Sequence, residues 1–244
     1  MPTDYNAIAE QYKRSKLTPW RRYIEEYTMF DILGNICGLS VLDLACGEGF
    51  YSRLFRLRGA ARVVGLDLSE RMIDLARATE SEHPLDIEYI VDDAQTFRTA
   101  ERFDLVAASY LLNYSQTEEQ LRAMCETIAE ALRPGGIFVT VNNNPSQSPG
   151  RFEATRPYGF TKRAGELRPG APITYTLFLD GDESFSFDNY YLSVAAHERA
   201  LESAGLDGIE WVQPRLSPEW QGDAGYFDAF FVDPSVIFLR CRKP

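Results

Sequence analysis

Short apolar runs alternate with helical patterns through the middle of the chain. Five such runs predict strands, at residues 41–45, 62–66, 87–91, 103–108 and 137–142. Helices are predicted between several of them, near residues 50–58, from the capping residue Ser69 onward, and over 118–132. Strands that are apolar throughout and separated by helices are typical of a parallel sheet covered on both faces. The carboxyl ends of such strands meet at one edge, where α/β proteins bind ligands.

Two helical patterns precede the first strand. Apolar residues at helical spacing predict one helix around Tyr12. Thr18 is a suitable N-cap for a second helix, which has Pro19 in its first turn and ends at Gly34. We expect residues 1–34 to form a helical lid that folds over the sheet.

The alternation stops after residue 142. Residues 145–172 contain several Pro and Gly and predict a loop, and residues 173–179 and 184–191 predict two strands around a turn at 180–181. A helix at 193–204 and strands at 208–213 and 236–242 complete the sheet.

The predicted fold is α/β, a Rossmann-like, seven-stranded, mostly parallel sheet with helices on both faces, an N-terminal helical lid and a late β-hairpin insertion. We expect residues 1–244 to form a single domain, in which residues 145–191 are an insertion that covers a substrate.

The charge of the chain limits the partners that it could bind. Its 244 residues include 36 acidic and 25 Lys or Arg side chains, for a formal net charge of −11. Such an acidic surface repels phosphate backbones and anionic lipids, so we expect no nucleic-acid or membrane partner. The four cysteines are scattered and no apolar run reaches membrane length. We expect a cytoplasmic protein with a small-molecule substrate and no bound metal, and leave its oligomeric state open.

The turn after the first strand carries the strongest chemical pattern. The segment DLACGEG, residues 43–49, places Gly47 and Gly49 between a buried strand and a helix. Glycines let a ligand approach the backbone, and the helix directs its first N–H groups towards the same place. Asp67 closes the second strand, where its carboxylate can accept hydrogen bonds from both hydroxyls of a ribose. An ordinary strand–helix turn is the alternative, and the combination of glycines and acidic residues disfavours it.

The spacing of the glycines favours S-adenosyl-L-methionine over a dinucleotide as the cofactor. A dinucleotide-binding turn requires a third glycine in G-x-G-x-x-G, and this chain has Ser52 there. Asp43 would repel a pyrophosphate, whereas it would attract the positively charged amine of an amino-acid headgroup.

These motifs resemble the class I S-adenosylmethionine-dependent methyltransferases over residues 41–141, and the later strands resemble them loosely. The resemblance implies that Asp43 lies near the methionyl amine and that the backbone at Ala45 and Gly47 lines the methionyl group. It also implies that Asp67 holds the ribose. Ala45 departs from the family pattern mildly, since many members have glycine at this position.

The same resemblance implies contacts to the adenosine. Leu68 and Met72 would flank it, and Asp93 would accept a hydrogen bond from the adenine amino group. Ala94 would offer its backbone N–H, and Ser109 would lie where the cofactor passes the fourth strand.

Three side chains of the predicted lid could reach the cofactor. The aromatic faces of Tyr12 and Trp20 would favour a sulfonium cation, and Arg21 could pair with the methionyl carboxylate. The alternative is that both aromatic side chains pack onto the sheet and Arg21 stays in solvent.

Residues that follow the fourth and fifth strands are candidates for substrate binding. Tyr110 and Tyr114 follow the fourth strand, and Asn142 and Asn144 end the fifth, all at the ligand edge. Such side chains can stack on a flat polar heterocycle and hydrogen-bond to it. At least one residue of the asparagine run 142–144 is expected to stabilise a turn instead.

Two later aromatic residues are further candidates for a substrate cover, Tyr190 on an inserted strand and Trp220 in an aromatic cluster. Tyr190 and Tyr191 alternate faces, so only one of them points inward. An aromatic cover suits a small, flat, neutral or cationic acceptor. The catalytic residue is left unassigned, because His83 lies in a polar loop and His197 shares a helix face with apolar residues.

Four more segments resemble the toxoflavin-synthase type of bacterial methyltransferase, namely YNAIAEQYKRSK, PWRRYI, SYLLNY and VTVNNNP. Members of that group methylate ring nitrogens of an azapteridine. The resemblance therefore implies an N-methyltransferase of secondary metabolism that acts once or twice on a demethylated azapteridine, as in toxoflavin biosynthesis. Two alternatives stay open, a methyltransferase that acts on oxygen or carbon of another small metabolite, and a non-catalytic S-adenosylmethionine-binding protein.

Overall fold

Seven of the ten strands form the central sheet, in a computed structural model that describes residues 5–16, 18–179 and 183–244. The strands are β1 (Ser40–Leu44), β2 (Arg62–Asp67), β3 (Ile87–Val91), β4 (Phe103–Ser109), β5 (Leu132–Asn143), β6 (Phe160–Ala164), β7 (Pro172–Phe178), β8 (Ser184–Tyr190), β9 (Asp207–Val212) and β10 (Val236–Arg242). The central sheet has the order β3-β2-β1-β4-β5-β10-β9. Strand β10 runs antiparallel to its two neighbours and the other pairs are parallel. The predicted seven-stranded, mostly parallel sheet is confirmed.

The helices follow the predicted alternation closely. They are α1 (Tyr5–Ser15), α2 (Tyr27–Leu33), α3 (Phe50–Leu57), α4 (Glu70–Glu82), α5 (Glu118–Ala131), α6 (Val194–Ser203) and α7 (Asp228–Val232). A π-helical segment, Arg21–Glu26, leads directly into α2. The predicted cap at Ser69 is confirmed, because its hydroxyl accepts a hydrogen bond from the Met72 N–H at 3.2 Å. The hydroxyl of Thr117 caps α5 in the same way.

Buried apolar side chains form one layer on each side of the central sheet. Alternate residues of a strand point to opposite faces, so Val41 and Leu42 of β1 belong to different layers. One layer packs β1 and its neighbours against α5 and α6. The other layer packs them against α2, α3, α4 and the second sheet. The functional residues described below lie mainly at the carboxyl edge of this second layer.

The late insertion is a three-stranded antiparallel sheet in the order β6-β7-β8. The predicted hairpin corresponds to β7 and β8, and its turn at residues 180–181 lies outside the described residues. The prediction of a loop over residues 145–172 is wrong in part, because β6 lies within it and pairs with β7. Lys162 in the middle of β6 conceals the strand in the sequence, since it is a charged residue type that is here 1% exposed.

Candidate active site

The glycine-rich turn between β1 and α3 has the open backbone that the sequence predicts. Ala45, Gly47 and Gly49 all adopt left-handed backbone conformations, with φ of 57°, 57° and 84°. A Cβ built on Gly47 would meet no atom within 4 Å, so the backbone there faces open space. Gly49 differs, because a Cβ on it would overlap the hydroxyl of Tyr89. The turn therefore offers one bare backbone surface to a ligand and one close internal contact.

Asp67 ties the carboxyl end of β2 to this turn. Its Oδ2 accepts a hydrogen bond from the Gly47 N–H at 2.8 Å, and its Oδ1 accepts one from the Ser69 N–H at 2.9 Å. Burial raises the pKa of the Asp67 carboxyl, and the two backbone N–H groups partly oppose that rise. Each carboxylate oxygen has a second lone pair, so the side chain can accept two ribose hydroxyls without breaking these bonds.

Asp43 lies beneath the same turn and is 1% exposed. The Ser52 hydroxyl donates a hydrogen bond to its Oδ2 at 2.6 Å. Burial raises the pKa of the Asp43 carboxyl to about 7, while the hydrogen bond from Ser52 and the positive charge of Lys16 act in the opposite direction. A cation that binds next to Asp43 would favour the ionised carboxylate, which fits the ammonium group of an amino-acid headgroup.

The other predicted cofactor residues lie at the carboxyl ends of β2, β3 and β4 and at the start of α4. Leu68 is 66% exposed beside Asp67, and Met72 is buried. Asp93 accepts a hydrogen bond from the Gln95 N–H at 2.8 Å, and Ala94 is buried beside it. The hydroxyl of Ser109, at the end of β4, is buried and has no hydrogen-bond partner in the described part of the chain. These donors and acceptors fit a nucleoside that carries a cationic amino-acid tail.

A second feature is a narrow cavity above the carboxyl ends of β4 and β5. It is lined by seven aromatic, two polar and two aliphatic side chains: Tyr12, Trp20, Tyr110, Tyr114, Phe160, Tyr175, Phe187, Arg21, Asn189, Leu177 and Val236. The predicted lid, the segment after β4 and the inserted sheet all contribute to it. The structure thus brings together two predicted sets. Tyr12, Trp20 and Arg21 are predicted to contact the cofactor, and Tyr110 and Tyr114 are predicted to bind the substrate.

Three rings from the three inserted strands form one wall of this cavity. Phe160 and Tyr175 are nearly parallel, with ring centroids 6.4 Å apart, and Tyr175 and Phe187 are nearly parallel at 5.6 Å. The Trp20 ring lies 5.0 Å from that of Phe160 at an angle of 39°. A flat ligand would find a pre-formed aromatic surface here.

Glu25 provides a buried carboxylate that holds two residues of the cavity lining, and the sequence patterns did not predict it. Glu25 is fully buried and accepts hydrogen bonds from Arg21 Nη1 at 2.5 Å, from the Tyr51 hydroxyl at 3.0 Å and from the Tyr110 hydroxyl. Arg21 is also buried, so the predicted pairing of Arg21 with the methionyl carboxylate would use only the atoms that Glu25 leaves free. Arg21 and Glu25 belong to the π-helical segment, a helix type that often occurs at functional sites. Tyr51 belongs to α3, so this network connects the glycine-rich turn to the cavity.

Asn143, at the end of β5, connects the central sheet to the inserted sheet. Its Oδ1 accepts hydrogen bonds from Lys162 Nζ at 2.7 Å and from the Tyr175 hydroxyl at 2.6 Å. Lys162 also donates to the Ser235 carbonyl oxygen at 3.2 Å, and burial lowers its pKa to about 7. The strand alternation that buries Val141 on this face also brings Asn143 to it, so its neighbours in the asparagine run point elsewhere.

Four predicted substrate residues lie outside the cavity lining. Asn142 is buried on the opposite face of β5, and its amide has no partner among the described residues. Asn144 stabilises a turn, because its Oδ1 accepts a hydrogen bond from the Ser146 N–H at 3.0 Å, and its Nδ2 also donates to the Pro234 carbonyl oxygen at 2.8 Å. Tyr190 lies on the opposite face of β8 from the cavity residue Asn189. Trp220 packs against Tyr23 and Phe227.

Within residues 5–16, 18–179 and 183–244, no group of three His, Cys, Asp or Glu side chains is arranged to hold a metal ion. None of the helices in the same ranges is long and apolar enough to cross a bilayer. His197 is buried, and its Nδ1 lies 2.9 Å from the Ser193 carbonyl oxygen within α6.

Comparison with known proteins shows similarity to methyltransferases. A family model described as a methyltransferase domain matches residues 41–136. The N-demethylindolmycin N-methyltransferase of Streptomyces griseus is 32% identical over 171 residues, which cover 69% of this chain and 70% of that protein.

Solved structures share the fold. An S-adenosylmethionine-dependent methyltransferase from Mesorhizobium loti superposes with a TM-score of 0.61 at 24% identity, covering 90% of this chain and 97% of that chain. The DhpI–SAM–HEP complex superposes with a TM-score of 0.60 at 21% identity, covering 98% of this chain and 94% of that chain.

Proposed function

The chain belongs to the class I S-adenosylmethionine-dependent methyltransferases, and from this premise we propose that it methylates a ring nitrogen of a small, planar heterocycle. S-adenosylmethionine supplies the reaction with a methyl group on a positively charged sulfur. The protein must therefore hold a nucleophilic nitrogen in line with that methyl group and keep water away from it.

The aromatic cavity is the observation that carries this proposal. Its wall of Phe160, Tyr175 and Phe187 offers parallel ring faces, and Tyr114 and Asn189 add polar groups among them. Rings stack on such a surface with little loss of conformational entropy, and the polar groups select an orientation. Holding the nitrogen and the methyl carbon in near-attack geometry can contribute about 7 kcal/mol or more to catalysis.

The related N-methyltransferase supports nitrogen as the acceptor atom. That relative acts on N-demethylindolmycin, by its name, and the match extends over 69% of this chain. The sequence segments that resemble the toxoflavin-synthase type include Tyr12, Arg21, Tyr110 and Tyr114, which all line the cavity. We therefore propose a demethylated azapteridine as the acceptor, with one or two successive ring-nitrogen methylations.

Mass spectrometry tests this proposal. The protein is incubated with S-adenosylmethionine and a fully demethylated azapteridine, and the methylated product and S-adenosylhomocysteine are quantified. We expect a gain of one or two methyl groups with matching S-adenosylhomocysteine. Absence of product with S-adenosylmethionine bound would reject the azapteridine, and a panel of O- and C-nucleophiles then tests the first alternative. Binding without turnover of any acceptor would indicate a non-catalytic binding protein.

A matched pair of variants tests the place of the acceptor. Phe187 and Phe185 lie on the same face of β8 and are both 9% exposed, but only Phe187 of the two lines the cavity. We expect Phe187→Leu to raise the KM for the acceptor at least several-fold, because it removes a stacking surface. Phe185→Leu makes the same change in volume next to the cavity, and we expect a KM close to that of the wild type. Equal effects of the two substitutions would contradict the assignment.

A further inference from the structure

The proton of the Tyr110 hydroxyl has a fixed position. Tyr110 lines the cavity, and its hydroxyl donates to Glu25 Oε2. That bond holds the hydroxyl proton, so a lone pair of Oη is left for a ligand. The Tyr110 backbone is held in the left-handed region at φ 66°, and its N–H donates to the Val141 carbonyl oxygen at 2.7 Å. Left-handed backbone at a residue other than glycine is uncommon and clusters at functional sites.

Arg21 provides a complementary donor next to this acceptor. Its Nη1 donates to the same oxygen, Glu25 Oε2, at 2.5 Å. Its guanidinium carbon lies 5.1 Å from the centre of the Tyr110 ring. The Arg21 Nε–H is buried and has no partner within the described ranges, although Arg21 also lines the cavity. A buried N–H without a partner is unfavourable, and a ligand that brings an acceptor atom removes that cost.

We propose that this pair binds the lactam edge of the acceptor ring, the adjacent N–H and C=O of a cyclic amide. The ring N–H donates to Tyr110 Oη, and the ring carbonyl oxygen accepts from Arg21 Nε–H. This inference rests on the proposed function, because it specifies which planar heterocycles the same cavity takes. Glu25 is a positioning residue, since it holds both groups by one oxygen and does not itself line the cavity.

The proposal makes a chemical distinction that an aromatic cavity alone would not make. Stacking on Tyr175 and Phe187 depends weakly on whether a ring nitrogen carries hydrogen or methyl. Tyr110 Oη, in contrast, can accept only from an N–H, because its own proton is committed to Glu25. A lactam with methylated nitrogens keeps the flat shape and loses the hydrogen bond.

Calorimetric binding of lumazine and 1,3-dimethyllumazine tests this distinction without requiring turnover. Both rings are titrated into the protein saturated with S-adenosylhomocysteine. We expect the wild type to bind lumazine at least tenfold more tightly than its dimethyl derivative. Tyr110→Phe should reduce that preference below threefold. Tyr51→Phe is the matched control, because it removes the other hydroxyl on Glu25 without changing the cavity lining, and it should retain most of the preference.

The outcomes separate this inference from the proposed function. If the wild type binds neither ring, or shows no preference, or if Tyr110→Phe keeps a tenfold preference, lactam recognition is wrong even when an azapteridine is methylated. If the preference is present and depends on Tyr110 while the azapteridine is not methylated, the edge recognition holds and the proposed acceptor fails. Should Tyr110→Phe not fold, Arg21→Lys replaces it, because lysine keeps a charge for Glu25 and lacks the Nε–H donor. Both rings carry the carbonyl group, so we expect Arg21→Lys to bind each of them more weakly, and an unchanged affinity for both would overturn the inference.

Discussion

Replacing Asp43 by asparagine should stabilise the free protein at neutral pH and weaken its binding of S-adenosylmethionine. Asp43 is fully buried, and burial raises its pKa from 3.8 to about 7. The folded state therefore binds a proton more tightly at this group than the unfolded state does. The contribution of Asp43 to stability is largest below pH 4 and is lost as the pH rises towards 7.

The size of the effect follows from the two pKa values. Between them, one pH unit changes the free energy of unfolding by ~1.4 kcal/mol. From pH 5 to pH 7 the wild type should lose about 2 kcal/mol through this group alone, because the carboxyl is half ionised at pH 7. Asparagine has nearly the same shape and its Oδ1 can accept the hydrogen bond from Ser52, so Asp43→Asn removes the titration and keeps the contact.

Urea unfolding between pH 5 and pH 8 measures this difference. We expect the stability of Asp43→Asn relative to the wild type to increase by about 2 kcal/mol from pH 5 to pH 7 and to level off towards pH 8. Asp104→Asn is the control, because the pKa of Asp104 is lowered and its titration lies below this range. A relative stability of Asp43→Asn that stays constant from pH 5 to pH 7 would refute the reasoning.

The affinity for S-adenosylmethionine should rise with pH in the wild type, whose stability falls over the same range, and should be lower in Asp43→Asn. If the methionyl ammonium lies next to Asp43, its binding favours the ionised carboxylate, so wild-type affinity should rise up to tenfold per pH unit from pH 5 to pH 7. Asp43→Asn should lose about 10- to 100-fold in affinity at pH 8, the range of a charge-assisted hydrogen bond. Calorimetry of S-adenosylmethionine binding measures both, and an unchanged affinity would remove Asp43 from the cofactor site.

Four further substitutions have expected results. Gly49→Ala should destabilise the protein by about 1–3 kcal/mol in urea unfolding, because the backbone there is left-handed and the added Cβ would overlap the Tyr89 hydroxyl. Gly47→Ala should act mainly on the affinity for S-adenosylmethionine. A larger loss of stability in Gly47→Ala than in Gly49→Ala would contradict the geometry of the turn. Arg21→Ala leaves a buried carboxylate without its charge partner and should cost about 3–5 kcal/mol in stability, and an unchanged S-adenosylmethionine affinity would disprove a bond from Arg21 to the methionyl carboxylate. The pKa of Lys162 is lowered to about 7, so above pH 7 the unfolded state binds more protons than the folded state. The wild type should therefore gain ~1.4 kcal/mol of stability per pH unit from pH 7 to pH 9. Lys162→Met should lack this gain, and equal pH slopes of the two proteins would refute the lowered pKa.

The local patterns of the sequence were sufficient to predict the central sheet. Most of its strands are apolar runs that their own residues identify, although β9 mixes apolar with acidic residues. The described caps at Ser69 and Thr117 form where their residue types indicate. The turn around Gly47 was also predictable, because a left-handed backbone and a ligand's approach both require small residues there. These features depend on neighbours in sequence, which a single chain displays directly.

The cavity was predictable only in part, because it depends on contacts between distant segments. Glu25 and Glu26 are adjacent acidic residues of one helical stretch, yet Glu25 is fully buried and Glu26 pairs with Arg58 at the surface. Nothing in the local pattern distinguishes them. The same holds for Lys162, whose burial depends on Asn143, 19 residues away in the chain. Such residues become visible only when tertiary packing brings their partners together.

Crystallography of the protein with S-adenosylhomocysteine and a demethylated azapteridine is the decisive measurement, because it locates the cofactor at the glycine-rich turn and the acceptor in the aromatic cavity. The ribose should lie on Asp67 with the methionyl amine next to Asp43, and the ring should stack in the cavity with a nitrogen facing the sulfur. A nucleoside bound away from the turn at Gly47, or a heterocycle bound outside the cavity lined by Tyr110 and Tyr175, would contradict this arrangement.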